Sequence, residues 1–96
     1  MKYFKPFTYE YQGRTIRSEF EYYIFFGEQR YRVKSPDGGY FDIFALAFPG
    51  PNLETIWVQK VTHIDMEKPI EMIMAMGKGI EQTGYPIHKR TENEEG

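Results

Sequence analysis

The stretch Arg14 to Lys34, RTIRSEFEYYIFFGEQRYRVK, decides how this chain folds. Ile16, Ser18, Phe20, Tyr22, Ile24 and Phe26 fall on one side of it, and Arg17, Glu19, Glu21, Tyr23 and Phe25 on the other. That period of two is the signature of a strand with one buried face. Gly27-Glu28 reads as the following turn, with Gly first as a type II′ turn demands. The implied register sets Ile24 opposite Tyr31 and Tyr22 opposite Val33 on the apolar face. On the other face it sets Phe25 opposite Arg30, Tyr23 opposite Arg32 and Glu21 opposite Lys34. A slip of one residue would send every side chain to the wrong face.

Working towards the N-terminus, residues 3–11 form a second strand joined through Gln12-Gly13. This places Tyr11 opposite Arg14, Tyr9 opposite Ile16, Phe7 opposite Ser18, Lys5 opposite Phe20 and Tyr3 opposite Tyr22. Pro6 lacks a backbone donor, which marks the strand as an edge. Towards the C-terminus, Ser35-Pro36-Asp37-Gly38 carries the residues of a type I turn. Val33 then faces Phe41, Arg32 faces Asp42 and Tyr31 faces Ile43, so Phe41, Ile43 and Ala45 join the apolar face. Tyr40, Phe44, Leu46 and Phe48 fall on the opposite face, leaving this strand apolar on both sides. Pro49-Gly50-Pro51-Asn52 breaks the chain, and residues 54–61 read as a fifth strand.

Beyond it the period changes to that of a helix. Asp65 is the expected N-cap and Glu67 suits the positive end of the helix dipole. Pro69 is tolerated in a first turn, whose amides have no intrahelical acceptor. Ile70, Ile73, Met74, Gly77 and Ile80 make the stripe expected to lie on the sheet. Gly84, before Tyr85-Pro86, is the expected stop, although Gly77 and Gly79 each cost about 1 kcal/mol and could end the helix near Met76. The expected fold class is therefore α+β: a curved five-stranded antiparallel β-meander followed by one C-terminal α-helix packed on one face. Residues 1–88 read as one domain, and 89–96 as an acidic, disordered tail without an apolar anchor.

The 96 residues contain no cysteine, which excludes disulfides, thiolate metal sites and cysteine nucleophiles. Twelve basic and 14 acidic side chains leave a net charge of −2, whereas nucleic-acid-binding domains are usually basic. The first residues lack the apolar run of a signal peptide, and no apolar stretch approaches the ~20 residues of a membrane span. A cytoplasmic protein without membrane contact is expected. Aromatic residues make up 18% of the chain, concentrated in the strands, where a sheet-rich core accounts for most of them.

Three kinds of function can be weighed on these residues. The apolar surplus on Tyr40, Phe44, Leu46 and Phe48, with Met72 and Met76 lying off the main helix stripe, points to a partner surface and to a homodimer. The preferred reading is thus a non-catalytic interaction module that self-associates and binds a protein partner. Arg17, Tyr23, Phe25, Arg30, Arg32 and Lys34 share the non-core face, a mixture suited to single-stranded nucleic acid. Glu19, Glu21 and Asp42 interleave with them, as in ordinary cross-strand charge pairing. A small apolar ligand carrier or an enzyme comes third. His63 and Asp65 are the sole candidate acid–base pair, and they are better explained as a junction residue and a helix cap. No cofactor is implied, and no His or carboxylate pair has metal-ligand spacing within one element.

Overall fold

The computed structural model describes residues 4–47, 55–61 and 66–91, the side chain of Thr91 excepted. Five antiparallel strands, β1 (Lys5–Tyr11), β2 (Arg14–Phe25), β3 (Glu28–Lys34), β4 (Tyr40–Ala47) and β5 (Thr55–Lys60), follow one another in spatial order. The curled meander they form is a half-barrel. One helix, α1 (Ile70–Gln82), lies across its open side, and a short strand, β6 (Lys89–Thr91), closes the chain. The expected α+β meander with one helix after its strands is the fold observed.

The β1–β2 register is the expected one, from Tyr11 opposite Arg14 to Lys5 opposite Phe20. Tyr3 lies outside the described residues. Gln12 and Gly13 both have positive φ, 54° and 74°, which is the type I′ geometry matching the twist of the strands. The β3–β4 register is also as expected, closed by Ser35 N–H donating to Gly39 O at 2.7 Å.

The β2–β3 turn differs from the reading of the sequence. It is Phe26-Gly27, with φ of 50° and 82°, and not Gly27-Glu28. Ile24 therefore faces Gln29 rather than Tyr31, and Tyr22 faces Tyr31 rather than Val33. The displacement is an even number of residues, so each side chain keeps its face. The observed register sets Tyr23 across from Arg30 and Glu21 across from Arg32, which joins Tyr23 to an ion-pair cluster described below.

The core lies between the concave face and α1. Phe7, Tyr9, Phe20, Tyr31, Val33, Phe41, Ile43, Ala45 and Trp57 from the sheet meet Ile73, Met76 and Ile80 from the helix. Phe7 packs edge-on against Phe20 (82°) and Tyr31 against Trp57 (70°), while Phe7 and Tyr9 stack at 27°.

The helix begins one residue after Pro69, whose carbonyl accepts from the amides of Met72 and Ile73. Asp65, the expected cap, lies outside the described residues; Pro69 holds the cap position instead, and Glu71 rather than Glu67 is the acid of the first turn. Ile70 is 74% exposed and does not belong to the core stripe, because the buried face is Ile73, Met76, Gly77 and Ile80. The helix runs through both interior glycines. A Cβ on Gly77 would sit 2.0 Å from Cγ of Trp57, and one on Gly79 would sit 2.2 Å from the Thr8 carbonyl oxygen. Their cost in helix propensity is offset by bringing the helix axis close to β5 and β1. The indole of Trp57 also donates from Nε1 to Glu81 at 2.8 Å. Gly84 (φ 84°) then ends the helix, its amide donating to Glu81 O.

Residues 89–91 depart from the expected disordered tail. They pair in parallel with Ala45–Ala47 of β4, beyond the point where the β3–β4 ladder stops. Side chains as well as backbone hold them: Arg90 stacks over Phe44 at 3.9 Å and donates to Gln29 O. Just before β6, His88 stacks on Tyr22 at 4.5 Å, and its amide donates to the hydroxyl of Tyr31. Residues 92–96 lie outside the described residues.

Candidate functional site

Two features on the sheet stand out from an ordinary core and surface. The first is a cluster on the convex face, centred on the buried carboxylate of Asp42. Adjacent strands deliver it, since Tyr23 faces Arg30 across β2–β3 and Arg32 faces Asp42 across β3–β4. Asp42 accepts from the Tyr23 hydroxyl at 2.5 Å, from Arg30 at 3.2 Å and from Nε of Arg32 at 3.3 Å. Arg30 also donates to Glu28 at 2.8 Å, and Lys60 stands 3.9 Å from the same carboxylate oxygen. Two rings complete the packing, with Arg30 4.6 Å from Phe25 and Arg32 4.8 Å from Tyr23.

Protonation in the cluster follows from this geometry. The hydrogen bond from Arg30 holds the Glu28 carboxyl below its ordinary range. Burial first, and then the bond to Asp42, push the Tyr23 phenol above its ordinary value. Arg30 is buried with both of its acidic neighbours engaged, so its own charge is compensated within the cluster.

That arrangement bears directly on the nucleic-acid residues read from the sequence. Arg30, Arg32, Tyr23 and Phe25 do share one face, but the first three are bound to Asp42 or Glu28 and the ring of Phe25 lies under Arg30. Arg17 and Lys34 have no salt-bridge partner among the described residues.

The expected partner surface is dispersed. Tyr40 is 42% exposed and packs beside Phe4, with ring centroids 5.3 Å apart. Phe44 and Leu46 are not part of one open patch, since Leu46 is half-buried or better and Arg90 covers the Phe44 ring. Met72 is half-buried against the core, and Met76 is wholly inside it, so Met76 is corrected from a surface residue to a core residue. The helix rotation that exposes Ile70 is the same one that turns Met76 inward. Phe48, His63 and Asp65 lie outside the described residues. No group of three potential metal ligands occurs among the described residues.

The second feature escaped the reading of the sequence. At the tip of the β2–β3 hairpin, Ile24, Phe25 and Phe26 are 61%, 44% and 89% exposed. Phe26 occupies the left-handed region, where a side chain with a Cβ is disfavoured. Reading Phe26-Gly27 as the turn would have put these three apolar residues beyond the reach of the helix. No family model, curated protein or solved structure matches this chain.

Proposed function

We propose that this chain is a non-catalytic interaction module that associates with a second copy of itself through the tip of its β2–β3 hairpin. The observation that carries the reading is the run Ile24-Phe25-Phe26, three consecutive apolar side chains facing solvent. Sinking one such side chain into an apolar contact contributes about 1.5–3 kcal/mol. In a two-fold pairing of tips every contact occurs twice, so a small patch suffices for a weak dimer. The net charge of −2 and Glu28 beside the tip disfavour an anionic lipid surface as the alternative partner.

Sedimentation equilibrium tests the proposal. The average mass should rise above 11.4 kDa with concentration, and Ile24→Ser combined with Phe26→Ser should hold it at the monomer value. A wild-type chain that stays monomeric throughout, or a doubly substituted chain that still associates, would refute the tip as the contact.

A further inference from the structure

At the end of the sheet away from the hairpin tip, β2 extends past β3 beside the β3–β4 turn. There Tyr9, Ile16, Arg17, Ser18, Glu19 and Lys34 help to line an open cleft of about 340 Å³. Such a volume lies at the small end of the range that takes organic ligands. Tyr9 is 2% exposed, and its hydroxyl is buried without a hydrogen-bond partner among the described residues. Buried polar groups are rarely left so, which makes this phenol a donor in need of an acceptor. The other hydroxyls among the described lining residues are already committed, because Ser18 Oγ donates to Lys34 O at 2.8 Å and the Ser35 hydroxyl is hydrogen-bonded to Asp37.

The charges around the cleft favour an acceptor that is negative. Arg17 and Lys34 are free of carboxylate partners among the described residues, in contrast to Arg30 and Arg32 on the same sheet. Glu19 is the only acid among the described residues of the lining, where Arg17 and Lys34 outnumber it. Ile16, together with Pro6 and Pro36, supplies an apolar surface between the polar groups. A second cleft of about 370 Å³ shares Pro6, Arg17 and Ser18, so Arg17 reaches both spaces.

We propose that this cleft binds a small organic anion, with its oxygens held by Arg17 and Lys34, its apolar body against Ile16 and the prolines, and the Tyr9 hydroxyl brought to it by an outward turn of the ring. A carboxylate and a phosphate monoester share the required chemistry: both accept charge-assisted hydrogen bonds from a guanidinium and an ammonium. The site is separate from the hairpin tip and does not depend on self-association there.

Benzoate and phenyl phosphate serve as probes in ¹H–¹⁵N spectra of the full chain at constant ionic strength. Saturable shifts of the Arg17, Ser18 and Ser35 amides are expected with at least one probe below about 10 mM, an affinity accessible to one anionic group in a small cleft. Saturation by benzoate alone assigns the ligand to the carboxylates, and saturation by phenyl phosphate alone assigns it to the phosphates. Arg17→Gln with Lys34→Gln should weaken binding by about tenfold or more, and Tyr9→Phe by several-fold, with the remaining spectrum unchanged. Shifts that grow linearly with both probes, or that are equal in the doubly substituted chain, would overturn the site. Unchanged affinity in Tyr9→Phe would remove the phenol as a donor and would likewise overturn it.

Discussion

Replacing Gly77 by Ala should destabilise this protein, although the same change in an exposed helix would stabilise it. Helix propensity alone favours Ala by about 1 kcal/mol. Against that, the new methyl would stand 2.0 Å from Cγ of Trp57 and 2.2 Å from both Cδ atoms. Carbon atoms need about 3.5–4.0 Å, so the indole would have to retreat by well over 1 Å. It has nowhere to go without loss, because Tyr31 packs against it and Glu81 accepts its Nε1–H. Overpacking of this kind costs about 1–3 kcal/mol, and a broken hydrogen bond to a carboxylate about 1.5–3 more. Net destabilisation of about 1.5–5 kcal/mol follows. With a urea m value near 1 kcal/mol/M for a domain of this size, the midpoint should fall by about 1.5 M or more. Trp57 is the sole tryptophan, so its fluorescence reports the transition directly. Gly84→Ala is the control: its φ is 84° but nothing among the described residues lies within 4 Å of a new Cβ, so only about 1 kcal/mol of backbone strain is expected. A midpoint for Gly77→Ala at or above that of wild type would refute the close packing of helix on Trp57.

Three further sites give predictions of their own. Tyr9→Phe should raise stability by about 1 kcal/mol in the absence of ligand, because it removes a buried hydroxyl without a partner; a lower urea midpoint would show that the hydroxyl is satisfied. Burial, the largest cause, pushes the Tyr31 phenol up to about 12 from 10.0. A pKa raised by folding means that the folded state holds the proton more tightly, so its contribution is full below pH 10 and is lost as pH rises towards 12. The loss should reach at most about 3 kcal/mol and should be smaller in Tyr31→Phe, as denaturation at matched alkaline pH values would show. Tyr31→Phe should itself cost about 1–3 kcal/mol at neutral pH by stranding the His88 amide, with faster hydrogen exchange at His88 and across β6 as the measurement. Phe26→Gly should stabilise the monomer by about 1 kcal/mol through relief of its left-handed backbone, while weakening self-association in the ultracentrifuge.

Face assignments were legible in the residues because strand periodicity has a parity that survives an error of register. Placing the second turn at Gly27-Glu28 shifted the pairing of Tyr22 from Tyr31 to Val33, yet Tyr22, Tyr31 and Val33 stayed on the concave side. The turn itself was not legible, since a Phe with positive φ is unfavourable locally and is held by the ladder on either side of it. Cations and acids of the convex face were also identified together, and Arg32 was set opposite Asp42, but the ties of Arg30 to Asp42 and Glu28 were not identified. Whether Arg30 is free for a ligand depends on three strands converging on Asp42 and on Glu28 reaching back to the guanidinium. The Glu28–Arg30 contact follows the i, i+2 spacing of one strand, but the convergence of Tyr23, Arg30 and Arg32 on Asp42 is a distance relation that no spacing along one strand contains.

Local physics in the sequence was sufficient for the architecture: alternation defined β2, Gln12-Gly13 and the Pro36-Asp37-Gly38 turn set two registers, and the change of period announced α1. Each of those signals acts over a few residues, and none depends on what packs against it. Tertiary structure decided the matters that depend on contact at a distance. It carried the helix through Gly77 and Gly79, because only the closeness of Trp57 and Thr8 makes glycine the better residue there. It drew Lys89–Thr91 into a parallel pairing with β4, where Phe44, Gln29 and Tyr31 supply the anchors that the segment's own composition lacks. It also moved the candidate interaction surface from β4 and the methionines to the hairpin tip. The rotation of the helix buried Met76, the arginine of β6 covered Phe44, and Ile24, Phe25 and Phe26 were left in solvent.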